Sequence, residues 1–310
     1  MTDDTPQADA AEVRRDRIIW TTLIILGVIV AAGTIALSWR LIEGRLGAAK
    51  ELDQAVALLK GSDATVTAAD EVVRAAVSTQ SAAKAAAVAP LITATIAQLV
   101  EANRLAGNGF DRLTDDEQKK VRLVQAASTA RAEMLKKVPA IISARSQAAQ
   151  ADEAAAQGWT RALAADKLAL KSVASYNKLK RADMKAAAVT NAKAKAAFTE
   201  AADLLERADL AFPDARLGVF SVYIDGRLKL LAVSKKAGDA WLAGNIAEAN
   251  SLRLEYNKTD EVAVQRAKQL PGTPQAAIAD AYKSLVDAPV REYYKAREKA
   301  AEADKALRTL

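Results

Sequence analysis

A chain of 310 residues without a cysteine or a histidine has no thiol nucleophile, no disulfide, no imidazole base and almost no route to a structural zinc site. Hydrophobic residues make up 51%, aromatics only 5%, and alanine is the commonest residue; alanine favours helix and buries little area, so this is a helix-rich chain with a thin core. The formal net charge of +6 suits anionic partners such as lipid head groups or acidic polymers, or serves solubility alone.

Near the start, Ile18 to Leu37 is a run of twenty residues without a charge. At about 1.5 Å per residue it spans about 30 Å, the hydrocarbon thickness of a bilayer. Trp20 and Trp39 stand where an aromatic belt would place them, and arginines flank both sides. The run lacks the polar face of a soluble core helix. It is longer than the apolar region of a cleaved signal, and Thr34-Ile35-Ala36 is a poor cleavage site. We therefore expect an uncleaved membrane anchor over 18–38, with Ile18, Trp20, Leu23, Ile29, Leu37 and Trp39 as its anchoring residues. Arg14, Arg15 and Arg17 crowd the N-terminal side, which predicts a short cytoplasmic tail over 1–17 and the remainder outside the cytoplasm. Small residues at Gly27 and Ala31, and at Ala32 and Ala36, would let two spans approach in a homo-oligomer.

Beyond the anchor, Ile42, Leu46, Ala49, Val56 and Leu59 keep near-heptad spacing, which predicts a juxtamembrane stalk over 39–62. Gly61-Ser62-Asp63 ends it, with a polar N-cap for a second helix over 63–88. Pro90 fits the first turn of a third helix, whose stripe is Leu91, Ile92, Ile96 and Leu99, and Gly107-Asn108-Gly109 stops it. Thr114-Asp115-Asp116-Glu117 reads as a capping box opening a fourth helix, and Pro139 marks a kink or boundary. From Ala140 to Phe212 the chain has no proline and one glycine, so a fold-back is expected at Gly158 or at Thr190-Asn191.

Asp225-Gly226 between apolar runs signals a hairpin, but pairing across it leaves neither face apolar. As a helix, Leu217, Phe220, Ile224, Leu228 and Leu231 share one stripe, and helix is the expectation. Gly244, Asn245 and Glu248 predict a helix–helix corner, Thr273-Pro274 another helix start, and Pro289 a break or kink. The tail alternates charges, as in Lys295–Glu298 and Asp304–Arg308, and reads as a solvent-laced helix.

Motifs of chemistry are scarce. Gly107-Asn108-Gly109 lacks a preceding strand and a third glycine, so it is a helix stop and not a dinucleotide loop. Asp115 and Asp116 suit the positive end of a helix. Lys178, Lys180, Arg181 and Lys185, within a wider run of lysines, form a possible anion-facing cluster, although a solvated helix face explains them as well. Trp159 and Trp241 read as packing anchors. The expectation is an all-α protein: one N-terminal transmembrane helix, an elongated antiparallel helical bundle or coiled-coil-like domain over 63–213, and helical hairpins over 214–310. A short α-solenoid in the C-terminal third is the alternative. The expected role is a non-catalytic scaffold or protein-interaction protein of a bacterial cell envelope, with the lipid bilayer and unidentified envelope proteins as partners, and no cofactor, metal or nucleic acid. The alternative is an extracytoplasmic ligand-binding or sensory module acting through a membrane partner.

Overall fold

A backbone rich in alanine and poor in glycine and proline satisfies its hydrogen bonds locally, as helix. The computed structural model describes residues 47–309, and among them the chain is all-α, without a strand. In order the helices are α1 (Gly47–Gly61), α2 (Asp63–Arg74), α3 (Thr79–Gly107), α4 (Asp115–Leu135), α5 (Val138–Tyr176), α6 (Arg181–Ala211), α7 (Gly218–Leu242), α8 (Ile246–Lys268) and α9 (Pro274–Arg308). Single 3-10 turns lie at Phe110–Arg112 and Pro213–Ala215. The expected anchor over 18–38 lies outside the described residues, as does Trp39 beside it.

Two compact units divide the chain. The first takes residues up to Ala75, Ala83–Ile142 and Pro289 onward; the second takes Ala76–Ala82 and Ser143–Ala288. The boundary expected at 213/214 falls inside the second unit.

In the first unit, α1 is not a free stalk from Gly47 onward. Leu52, Ala55 and Leu59 are buried in a core with Val72 of α2, Ile92 and Leu99 of α3, Val124 and Leu135 of α4 and Tyr293 of α9. The second helix expected over 63–88 ends at Arg74, and α3 starts at Thr79 and runs through Pro90. The missing N–H and the ring clash at Pro90 are tolerated because Ala85 and Ile92, on either side of it, are both buried. Among the described residues α3 is the helix long and apolar enough to cross a membrane. Its Ile92, Leu99, Ala102 and Leu105 are nonetheless core residues, and its Thr95 hydroxyl donates to the buried Thr65 hydroxyl at 2.9 Å.

Polar ties supply what alanine cannot. Ser62 was expected to cap α2; instead its buried hydroxyl donates to the Leu59 carbonyl at 2.6 Å and accepts from Arg131. The buried Arg131 of α4 also donates to the Leu59 carbonyl at 2.9 Å, to Asp63 at 2.6 Å and to Asp304 at 2.9 Å. It thereby joins α1, α2, α4 and α9 through one guanidinium fork. The tail of α9 is solvated on one side, where Lys295, Glu298, Glu302 and Arg308 are exposed, and tied on the other: Asp304 is committed to Arg131, Tyr293 is fully buried, and Arg297 donates to Asp70 at 2.7 Å. The capping box is as expected, with Glu117 N–H donating to Thr114 Oγ1 at 3.4 Å and Thr114 N–H to Glu117 Oε2 at 2.9 Å.

The second unit rests on heptad-spaced small residues. On α5, Ala148, Ala155, Ala162 and Ala169 are buried at one heptad position, and Ala151, Gly158, Ala165 and Ser172 at the other. On α6, Ala187, Ala194, Ala201 and Ala208 alternate with Met184, Asn191, Phe198 and Leu205. Both expected turns are corrected by this pattern. Gly158 is inside α5, where a Cβ would stand 3.1 Å from Leu204 Cβ and 3.2 Å from the Ala201 carbonyl oxygen. Asn191 is inside α6 and donates to the Leu231 carbonyl at 3.1 Å. The reversal comes instead after Tyr176, where Leu179 adopts φ 54°.

The expected helix over 217–231 is present. Leu217, Phe220, Ile224 and Leu231 of the α6–α7 corner and α7 are buried, and Trp159 meets Phe220 edge-on at 5.4 Å. Gly226 lies inside α7, with no atom within 4 Å of where a Cβ would stand. The α7–α8 corner carries Gly244 at φ 84° and Asn245 accepting from Glu248 N–H at 3.4 Å; Thr273 caps α9 by accepting from Ala276 N–H at 3.2 Å. Pro289 lies inside α9, which is one helix from Pro274 to Arg308, and the division between the two units falls at this residue.

Burial alone would raise the Asp70 carboxyl, but Arg297 and the Tyr293 hydroxyl outweigh it and hold it below its ordinary value. A depressed folded value stabilises above the unfolded value of about 4 and is lost as pH falls through the folded one. Asp70→Asn is expected to lower the urea midpoint at pH 7 and to flatten its decline below about pH 4. Parallel acid limbs for the two proteins contradict the assignment.

Candidate functional site

The alanine seam of α5 and α6 ends where aromatic residues begin. Tyr176 occupies the position one heptad after Ala169, and a cavity of about 110 Å³ opens beside it within the second unit. Four helices contribute faces at helical spacing. From α5 come Val173 and Tyr176, with Asn177 following; from α6 comes the buried Met184. From α7 come Ser234, Ala237, Gly238 and Trp241, at i, i+3, i+4 and i+7. From α8 come Ala249, Arg253, Tyr256 and Asn257, again on one side of the helix.

Gly238 makes this arrangement possible. A Cβ there would collide with the Tyr176 ring and stand 3.1 Å from its hydroxyl. The Tyr176 hydroxyl oxygen is shielded from solvent and has no hydrogen-bond partner among the described residues. Burial, reinforced by the Asp239 carboxylate, pushes the phenol up to about 12, so it remains a neutral donor at physiological pH. Burial, with Asp260 second, also raises Tyr256. An unpaired buried donor costs free energy that a bound acceptor returns.

Behind Tyr256 the second unit is tied electrostatically. Arg227 of α7 pairs with Asp166 of α5 at 2.6 Å and approaches Asp260 of α8 at 3.4 Å, and the Tyr223 hydroxyl donates to Asp166. These ion pairs fix α8 against α7 and α5, and so fix the wall that carries Arg253 and Tyr256. Arg253 is exposed and makes no ion pair among the described residues.

The possible anion-facing cluster is placed elsewhere. Lys178, Lys180, Arg181 and Lys185 are all exposed, Lys178 lies 3.4 Å from Asp183, and none of the four lines the cavity. Of the two tryptophans expected as packing anchors, Trp159 packs on Phe220 and Tyr223, whereas Trp241 is half-exposed and lines the cavity. Tyr176, Gly238, Arg253 and Tyr256 were not singled out from sequence. Their signal was present as the i, i+3, i+4, i+7 faces of α7 and α8, but the turn that brings Tyr176 to them was not. Among the described residues no group of three or more acidic side chains is placed to hold a metal ion.

Comparison of the chain with protein-family models, with curated proteins and with solved structures gives no match.

Two glycines of α7 should respond oppositely to alanine. Gly226→Ala is expected to stabilise by about 0.5–1 kcal/mol, because the helix gains propensity and nothing is displaced. Gly238→Ala is expected to destabilise by about 1–3 kcal/mol, through overpacking against Tyr176. Urea unfolding followed by far-UV circular dichroism measures both; equal effects of one sign contradict the contact.

Proposed function

We propose that this protein is a membrane-anchored, non-catalytic binding module of a bacterial cell envelope, whose second unit holds a small ligand in the cavity between α5, α6, α7 and α8. The observation that carries this reading is the shielded, unpartnered Tyr176 hydroxyl in a cavity that also presents the rings of Trp241 and Tyr256 and an arginine without an ion pair among the described residues. Ligand cavities combine apolar and aromatic walls with a few placed polar groups, and this cavity has that composition. The alanine seams support a helical bundle as the scaffold, in which sites form between facing helices. The uncharged run over 18–37 supports the anchor, and the arginines before it support a cytoplasmic N-terminus. A bilayer and a membrane partner that reads the bound state then follow as partners.

A scaffold role is the second reading. It is favoured by Leu163 and Leu170, which are 48% and 66% exposed one heptad apart on α5. Such a face would meet an envelope protein or a second copy of the chain.

The test uses the full chain in mild detergent, scanned for thermal stabilisation against a panel of small metabolites. A ligand that raises the melting temperature saturably in the wild type, but not in Gly238→Leu, supports the binding module. A flat response across the panel contradicts it, and capture of the chain by cross-linking through Cys substituted at Leu170 then favours the scaffold.

A further inference from the structure

We propose that the cavity selects a small organic anion, a carboxylate carried on one flat unsaturated ring, with Arg253 and the Tyr176 hydroxyl as its polar anchors. This rests on the reading of the cavity as a ligand site and adds the ligand's chemical class.

Charge decides the sign of the ligand. Arg253 is the one charged residue among those lining the cavity, and no Asp or Glu lines it. The acid that acts on the site is Asp239, through its effect on Tyr176, and its carboxylate is held 2.6 Å from the Lys235 ammonium. A cation would therefore meet an unneutralised guanidinium. Aromatic faces do attract cations, but a full charge of the same sign at short range opposes them more strongly. A carboxylate instead meets a planar fork of donors that matches its two oxygens.

Hydrogen bonding agrees with charge. The Tyr176 hydroxyl lacks an acceptor and keeps its proton, so it donates to whatever oxygen reaches it. Asn177 and Asn257 stand exposed at the rim and add amide donors. Arg253, also exposed, lines the same cavity as Tyr176.

Shape fixes the body. Tyr176, Trp241 and Tyr256 supply ring faces, and Val173, Met184 and Ala237 supply apolar contacts. Flat rings stack on such walls. The volume of about 110 Å³ is on the scale of cavities of roughly 150 Å³ that hold benzene. A single ring is the body that matches this space.

Titration calorimetry of the full chain in mild detergent tests the class with three single-ring probes: the anion benzoate, its neutral isostere benzamide and the cation benzylammonium. Benzoate is expected to bind saturably and at least ten-fold more tightly than either of the others. Arg253→Gln, a surface change whose melting temperature should match the wild type, is expected to bring benzoate within two-fold of benzamide. Tyr176→Phe is expected to weaken benzoate several-fold while preserving its preference over benzylammonium. If benzamide or benzylammonium binds as tightly as benzoate, and Gly238→Leu abolishes that binding, the anion class is overturned while the cavity stands as a ligand site. Unchanged benzoate affinity in Arg253→Gln overturns the role of Arg253. Failure of all three probes to bind overturns the ring-sized ligand, and a flat metabolite panel then removes the underlying reading as well.

Discussion

Helices that meet through alanine approach more closely than helices that meet through leucine, and each contact buries little. At about 25 cal/mol per Å² a methyl contributes a fraction of what a leucine side chain does, so many contacts must act together. In α5 and α6 they do, because small residues recur at heptad positions over most of both helices. The arrangement leaves no room for a longer side chain: Gly158 sits against the backbone and side chains of α6. It also explains where the cavity forms. When the α5 series reaches Tyr176, the helices can no longer close, and α7 accommodates the ring only because position 238 is glycine. The cavity is the place where a thin seam meets a bulky residue.

The first unit solves the same shortage differently. Its core contains leucine, isoleucine and valine as well as alanine, and two of its helices, α1 and α2, are short. Arg131 joins four of its helices by donating to a carbonyl, a hydroxyl and two carboxylates. The Asp70–Tyr293–Arg297 group ties α2 to α9 in the same way. Such buried polar groups stabilise only when nearly every donor is satisfied, and here the fork is occupied. The second unit has a comparable tie in Asp166, Arg227 and Asp260, and Asp260 follows the cavity residue Tyr256 by one turn of α8.

Legibility in the sequence followed the strength of local signals. Helical class, the caps at Thr114, Asn245 and Thr273, and the helical state of 217–231 all rest on local chemistry and were readable. Three kinds of feature were not. The turn after Tyr176 contains neither glycine nor proline, and Leu179 takes a left-handed conformation that its side chain disfavours. Pro90 looks like a helix start and Pro289 like a break or kink, but both lie inside continuous helices. The alanine heptads of α5 are nearly invisible to hydropathy, because Ala154, Ala156 and Ala164 on the other faces are alanine too. Without contrast between faces, a glycine at a buried heptad position reads as a turn. The cavity inherited these errors: its α7 and α8 faces had visible periodicity, but Arg253 and Tyr256 acquire meaning only once α5 reverses after Tyr176.

Gly158→Leu tests the seam most directly, since at an exposed turn the substitution would be harmless and in a close helix contact it is not. Urea unfolding of the full chain in mild detergent, followed by far-UV circular dichroism and tryptophan fluorescence, is the measurement. A loss of about 3 kcal/mol or more relative to wild type is the result expected of a leucine forced between α5 and α6. An unfolding curve that overlays the wild type would contradict the close approach, and the origin of the cavity with it.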